Sequence, residues 1–330
     1  MLFSSSTLLT LCLKRQGQRC TKMKLSSSQI FSIPRLDSVQ TALTIKHNIL
    51  LKVLRLDLIN PLISGNKWYK LKYNLQLAQR QGHTRLLSFG GAWSNHLYAL
   101  SAAAKVFNFE SVGIVRGELP VPLNPVLEFA LSQGMQLFPV TRADYRNKSN
   151  TDFLQKLHEH FGDFYLIPEG GSNNQGVQGC AELARNLQWE SASVPRYVML
   201  ACGTGTTMAG LLAGLSADRA DQRCVQVIGI SVLKGGDFLS KDIKQFLSES
   251  SICDPGNWQL RTDFHCGGYA RHTQNLLDFI DTFSTESAVP LEPVYTGKLF
   301  FALSNLIASG EIPAGSEVIV VHSGGIHKSE

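Results

Sequence analysis

With 330 residues, 44% hydrophobic and 17% charged, the chain can bury a sizeable core, and its length suits one large domain or two. A net charge of +5, spread along the chain without a dense basic block, argues against a nucleic-acid partner. The seven cysteines form no C-x-x-C pair and read as free thiols in a reducing, cytoplasmic setting, with no metal expected. No apolar run approaches the length of a membrane span.

Residues 1–36 contain no acidic residue but carry Lys14, Arg15, Arg19, Lys22, Lys24 and Arg35 among many serines. That composition fits a transit peptide, with a mitochondrial location as the alternative; Met23 offers a later start instead. Residues 1–30 are therefore set apart as a disordered leader or untranslated extension. Ile49 to Leu58 then suits a buried strand, broken by Pro61 and Gly65. From Lys67 onward Trp68, Leu71, Leu75 and Ala78 recur at helical spacing. Short apolar runs at 86–89, 112–115, 137–140, 165–167, 197–201, 225–230 and 318–321 read as strands. Helical stretches at 94–107, 124–132, 153–161, 178–187 and 208–215 alternate with them. The alternation predicts an α/β fold with parallel sheets covered on both faces. Ligands of such sheets bind beyond the carboxyl ends of the strands, where the glycine turns at 65, 90, 170, 203 and 324 fall.

Lys67 stands at the mouth of a helix, after a glycine that lets backbone approach a ligand. The helix dipole and the neighbours Lys70 and Lys72 favour its neutral amine, the form that attacks a carbonyl. A solvated basic first turn would also account for these lysines. Gly203, Thr204, Gly205, Thr206 and Thr207 join a strand to a helix and form an anion cradle of backbone N–H groups and hydroxyls. Met208 occupies the third glycine position of a dinucleotide fingerprint, and no Gly-Lys-Ser/Thr follows, so a phosphate monoester fits best. Ser94 can cap a helix while the N–H groups of Asn95 and His96 grip a carboxylate. Ser323 closes the last strand between His322 and Gly324-Gly325, and Tyr269 and Tyr295 each lie near glycines as candidate acids.

A carbonyl-binding lysine, a monophosphate cradle and a carboxylate-binding turn together suggest pyridoxal 5'-phosphate. Over about residues 31–328 the chain resembles the D-cysteine desulfhydrase and 1-aminocyclopropane-1-carboxylate (ACC) deaminase family, tryptophan synthase β-like enzymes of PLP fold type II. The resemblance implies two doubly wound parallel-sheet domains: a large PLP-binding one over 31–69 and 166–330, and a small inserted one over 70–165. It also implies a homodimer acting on a small amino-acid substrate. By position it implies that Lys67 in Gly-Asn-Lys bonds the cofactor and that Ser94, Asn95 and His96 hold the substrate carboxylate, with Asn95 also near the cofactor's phenolic oxygen. Thr204 to Thr207 match the phosphate loop, Tyr295 and Tyr269 the active-site tyrosines, and Ser323 the hydroxyl facing the pyridine nitrogen. Trp93 replaces a common Gln, Glu169 replaces a smaller residue, and 264–271 matches poorly.

The deaminases of this family carry Glu at the position of Thr296 and an apolar residue at that of Ser323. Two neutral hydroxyls here therefore lead to the expectation of β-elimination from D-cysteine, with ACC deamination as the alternative. A phosphate-ligand binding protein without chemistry is the alternative of another class.

Overall fold

The computed structural model describes residues 31–63, 65–217 and 225–325, together with the backbone of two short strands before them. Those two, β1 (Leu8–Cys12) and β2 (Lys22–Ser26), pair antiparallel. The remainder of the leader expected over 1–30 lies outside the described residues.

The chain then runs β3 (Arg35–Val39), α1 (Ala42–Lys46), β4 (Leu50–Arg55) and α2 (Asn66–Arg80). Next come β5 (Arg85–Gly90), α3 (Asn95–Val106), β6 (Glu110–Arg116), α4 (Pro125–Ser132), β7 (Met135–Val140), α5 (Arg142–Arg146), α6 (Thr151–Phe161) and β8 (Tyr165–Ile167). It continues with α7 (Asn174–Ala181), β9 (Arg196–Cys202), α8 (Thr206–Ala217), β10 (Val225–Ser231), α9 (Leu239–Glu249), β11 (Trp258–Arg261), α10 (Gln274–Ser287), α11 (Thr296–Ser309) and β12 (Glu317–His322).

Two sheets result. The larger has the order β11-β10-β9-β12-β4-β3, and the smaller β7-β6-β5-β8. The chain thus leaves the larger sheet after β4, builds the whole smaller one, and returns at β9. Every neighbouring pair is parallel except β3 with β4, an antiparallel edge that the alternation of strands and helices did not signal. The central strands read as continuous apolar runs because both faces are covered: Leu51, Val53, Val198, Met199 and 318–321 are all buried. A charged residue inside such a run needs a partner. Lys52 has one, its Nζ lying 2.8 Å from Oε1 of the fully buried Glu317 on β12.

The topology gathers the loops that follow β4, β9 and β12 at one end of the larger sheet, facing those after β5, β6 and β8. Three helices fix the floor between them. In α7, Gly179 lies against the Tyr69 carbonyl of α2, where an added Cβ would come within 1.7 Å of the oxygen. In α8, Gly210 meets Cys180 Cβ at 2.4 Å on the same basis. These close approaches bind the lysine-bearing helix to the cradle-bearing one with α7 as the spacer. The expected helix at 178–187 in fact starts at Asn174, and 182–186 is a tighter 3₁₀ turn.

Candidate active site

The facing loops enclose a cavity of ≈ 520 Å³ that Lys67, Ser94, Asn95, His96, Tyr269, Tyr295 and Ser323 all line. Gly203, Thr204, Gly205 and Thr207 line it too. Thr206 is fully buried behind them, its hydroxyl 3.2 Å from that of Thr204.

Lys67 enters from the first turn of α2. Gly65, with φ of 70°, turns the chain there, and its N–H donates to the Leu56 carbonyl at 2.8 Å. Asn66 N–H donates to the Ser323 carbonyl at 3.2 Å. The Asn66 side chain then joins two functions, accepting from Lys67 Nζ at 2.7 Å and donating to Thr207 Oγ1 at 2.9 Å. Burial first, and then the charge of Lys70, pull the Lys67 amine from its ordinary 10.5 down to about 7, against smaller opposing effects of Cys180 and Glu292. A neutral amine is thus available near neutral pH.

That shift has a consequence for the cofactor-free protein. The unfolded chain keeps the Lys67 proton up to about pH 10.5, whereas the folded chain releases it near 7. The unfolded state holds more protons across that interval, so folded stability rises with pH there. The urea midpoint is expected to climb more steeply from about pH 7 to 8.5 in the wild type than in Lys67→Met. Equal slopes would refute the lowered affinity for the proton.

The helical period separates the three neighbouring lysines. Lys70, one turn on from Lys67, is buried and donates to Thr204 Oγ1 at 3.2 Å, so it serves the cradle. Lys72 turns away and pairs with Glu182. Burial lowers the proton affinity of Lys70 as well.

Ser94 caps α3 by accepting from Leu97 N–H at 3.2 Å, and leaves the following turn open to the cavity. His96 is braced by Ser88 Oγ, 2.9 Å from its Nε2. Burial, Lys67 and Lys70, in that order, push its pKa well below the ordinary value, so the imidazole is neutral. A neutral ring held in this way can donate or accept a hydrogen bond at a fixed place. The Tyr269 and Tyr295 rings meet edge to face, with centroids 6.1 Å apart. Burial raises both phenols, Tyr295 well above 10, so both stay protonated near neutral pH.

Ser323 follows β12, whose end is pinned beneath the site. His322 Nδ1 lies 3.1 Å from Asp57 Oδ1, and Arg55 Nη2 donates to Asp57 Oδ2 at 2.7 Å. Burial raises the Asp57 pKa, but the bonds from His322 and Arg55 outweigh it and hold the group well below the usual carboxylate range.

Thr296 lies elsewhere than the cavity wall. Its side chain is fully buried and its hydroxyl accepts from Glu292 N–H at 2.9 Å. The Glu292 carboxylate in turn accepts from the N–H groups of Val294, Tyr295 and Thr296 at 2.7–2.8 Å, capping α11.

Pyridoxal phosphate fits these residues. Two buried polar atoms of cavity-lining residues, His96 Nδ1 and Ser172 Oγ, have no hydrogen-bond partner among the described residues, and Ser172 belongs to the turn that crosses the Thr204 side chain. A phosphate between Thr204, Lys70 and the start of α8 meets donors on several sides. Asn66, Lys70, Ser172 and Glu292 have places here that sequence reading did not give them. The spacing of Lys70 from Lys67, three residues along one helix, was a usable signal.

This arrangement defines an enzyme that binds its cofactor as a phosphate monoester and a carbonyl compound. Residues 35–324 match the family model of the pyridoxal-phosphate dependent enzymes, and the chain belongs to that family. Among its relatives is a Pyrococcus horikoshii protein provisionally named as an ACC deaminase, 27% identical over 273 residues that span 82% of each chain. Another is the mitochondrial bifunctional D-cysteine desulfhydrase/ACC deaminase of Arabidopsis thaliana, 28% identical over 80% of this chain and 69% of that one. The crystal structure of an ACC deaminase homologue shares the fold, with a TM-score of 0.78 over 89% of both chains at 24% identity. The expected PLP fold type II and the expected cofactor both stand.

Proposed function

We propose that the protein removes the β-substituent of a small amino acid, with D-cysteine as the leading substrate, giving pyruvate, hydrogen sulfide and ammonia. Bound pyridoxal phosphate supplies the electron sink that stabilises the carbanion left at Cα. The cradle and Lys70 hold its phosphate. The turn at Ser94–His96 orients the substrate carboxylate by backbone N–H groups. Neutral Lys67 Nζ takes the α-proton as the C–S bond breaks, and the protonated Tyr295 hydroxyl at the cavity wall donates a hydrogen bond to the departing sulfur. One water then converts the released enamine to the keto acid and ammonia.

The observation that carries the choice of substrate is the neutral hydroxyl of Ser323 at the cavity wall, since Thr296, expected beside it, is buried away from the cavity. Ser323 offers a hydroxyl to the cavity, which can bond a ring nitrogen without supplying charge. Thr296 is tied to Glu292, whose oxygens are taken by the α11 N–H groups. A thiolate leaves readily without a stronger sink, whereas a cyclopropane ring does not. ACC deamination is the second reading, favoured by the names of the relatives. Purified holoenzyme is expected to release keto acid from D-cysteine with a kcat/KM at least about tenfold above that for ACC, a difference of roughly 1.4 kcal/mol in transition-state stabilisation. The reverse ranking would overturn the choice of substrate.

A further inference from the structure

The cavity has a wall that this chemistry does not use. Arg116 at the carboxyl end of β6, Glu169 after β8, and Lys148 after α5 all line it. Lys148 Nζ lies 3.2 Å from Glu169 Oε2 and 5.1 Å from the centroid of the Tyr145 ring. Arg116 stands over the same ring, its guanidinium carbon 5.8 Å from the centroid. It pairs with no carboxylate among the described residues. Its Nη2 is 4.0 Å from where a Cβ on Gly91 would lie, which sets the guanidinium beside the turn that leads into Ser94. Two cations and one anion leave this wall with one positive charge, and Arg116 is the cation that Glu169 does not neutralise.

We propose that Arg116 binds an anionic group at the far end of the substrate side chain, so that the enzyme also accepts longer β-substituted amino acids and prefers those with an acidic terminus to their neutral isosteres. The Tyr145 ring holds the guanidinium in place, and the Lys148–Glu169 pair borders it. A planar guanidinium takes a carboxylate through two parallel bonds, which discriminates charge and shape together. In this reading the wall beside the Gly91 turn takes the end of the β-substituent, while the N–H groups of the helix entry take the α-carboxylate. This inference rests on the β-elimination reading for the orientation of the substrate.

S-carboxymethylcysteine and its neutral isostere S-carbamoylmethylcysteine test it, each in D and L forms. Dissociation constants for the holoenzyme are read from the cofactor absorbance change in rapid mixing, before turnover, with keto-acid release followed in parallel. The acid is expected to bind about tenfold more tightly than the amide. Arg116→Gln should bring the two within about threefold, and Glu169→Gln should widen the gap by freeing Lys148. A folding defect does not produce changes of opposite sign. Equal binding by the wild type overturns the proposal. So does an Arg116→Gln protein that weakens both ligands alike, the signature of a contact to the α-carboxylate. Absence of keto acid from either compound, with the binding difference intact, would sink the elimination reading and leave the subsite standing.

Discussion

Lys67→Ala is expected to abolish turnover by several orders of magnitude while the protein still takes up pyridoxal phosphate. In the proposed mechanism the same amine is both the covalent anchor and the base that receives the α-proton, so its loss would remove two roles at once. The cradle and Lys70 are untouched by the change, and they account for the retained binding. Borohydride reduction of the wild type followed by peptide mass mapping should place the cofactor on Lys67. A label on Lys70 would reverse the roles of the two lysines. Lys70 is the sharper competitor because it is buried and shares the face of α2, whereas Lys72 is engaged with Glu182.

Gly65→Ala is expected to destabilise the fold by about 3 kcal/mol or more and to cost the protein its cofactor. The residue sits at φ of +70°, and an added Cβ would come within 1.8 Å of the Ser323 carbonyl oxygen. Gly82 supplies the control, because it has φ of +80° with nothing near its missing Cβ. Gly82→Ala pays only the backbone strain, about 1 kcal/mol. Urea denaturation of the two variants separates the effects. Similar midpoints would mean that the loop at Gly65 yields without strain, and that the contact with Ser323 is not needed.

The strands of both sheets were largely legible in the sequence, since an apolar run buried on both faces has no competing pattern. Elements whose local signals point the wrong way were not. The sequence pattern predicts helix α7 only from 178 and misses its first turn: that turn carries Gly176, which, like Gly179, is there for the approach of neighbouring backbone, a tertiary fact. Helix α11 opens on Thr296-Gly297-Lys298 without a local acidic cap, because its cap is Glu292, four residues before its first residue. The site followed the same division. Lys67, the cradle and the Ser94 turn lie in contiguous motifs and could be read directly. Arg116 and Glu169 follow different strands and reach one cavity only through the order of the smaller sheet. The substrate's far end was therefore the part of the site the sequence concealed.

The order of strands also governs when the site can exist. In the larger sheet β4 has only β3 and β12 as neighbours, and β12 separates β4 from β9. The strand that leads to Lys67 and the strand that leads to the cradle therefore share one partner, made last. During synthesis at roughly 5–20 residues per second, β4 waits on the order of tens of seconds for it. The smaller sheet is complete by Ile167 and can close on the ribosome, while the cofactor pocket can form only after His322 has emerged. Until then a nascent chain would carry a completed smaller sheet beside an unfinished larger one, in which the apolar strand β4 is covered on one edge by β3 and open on the other.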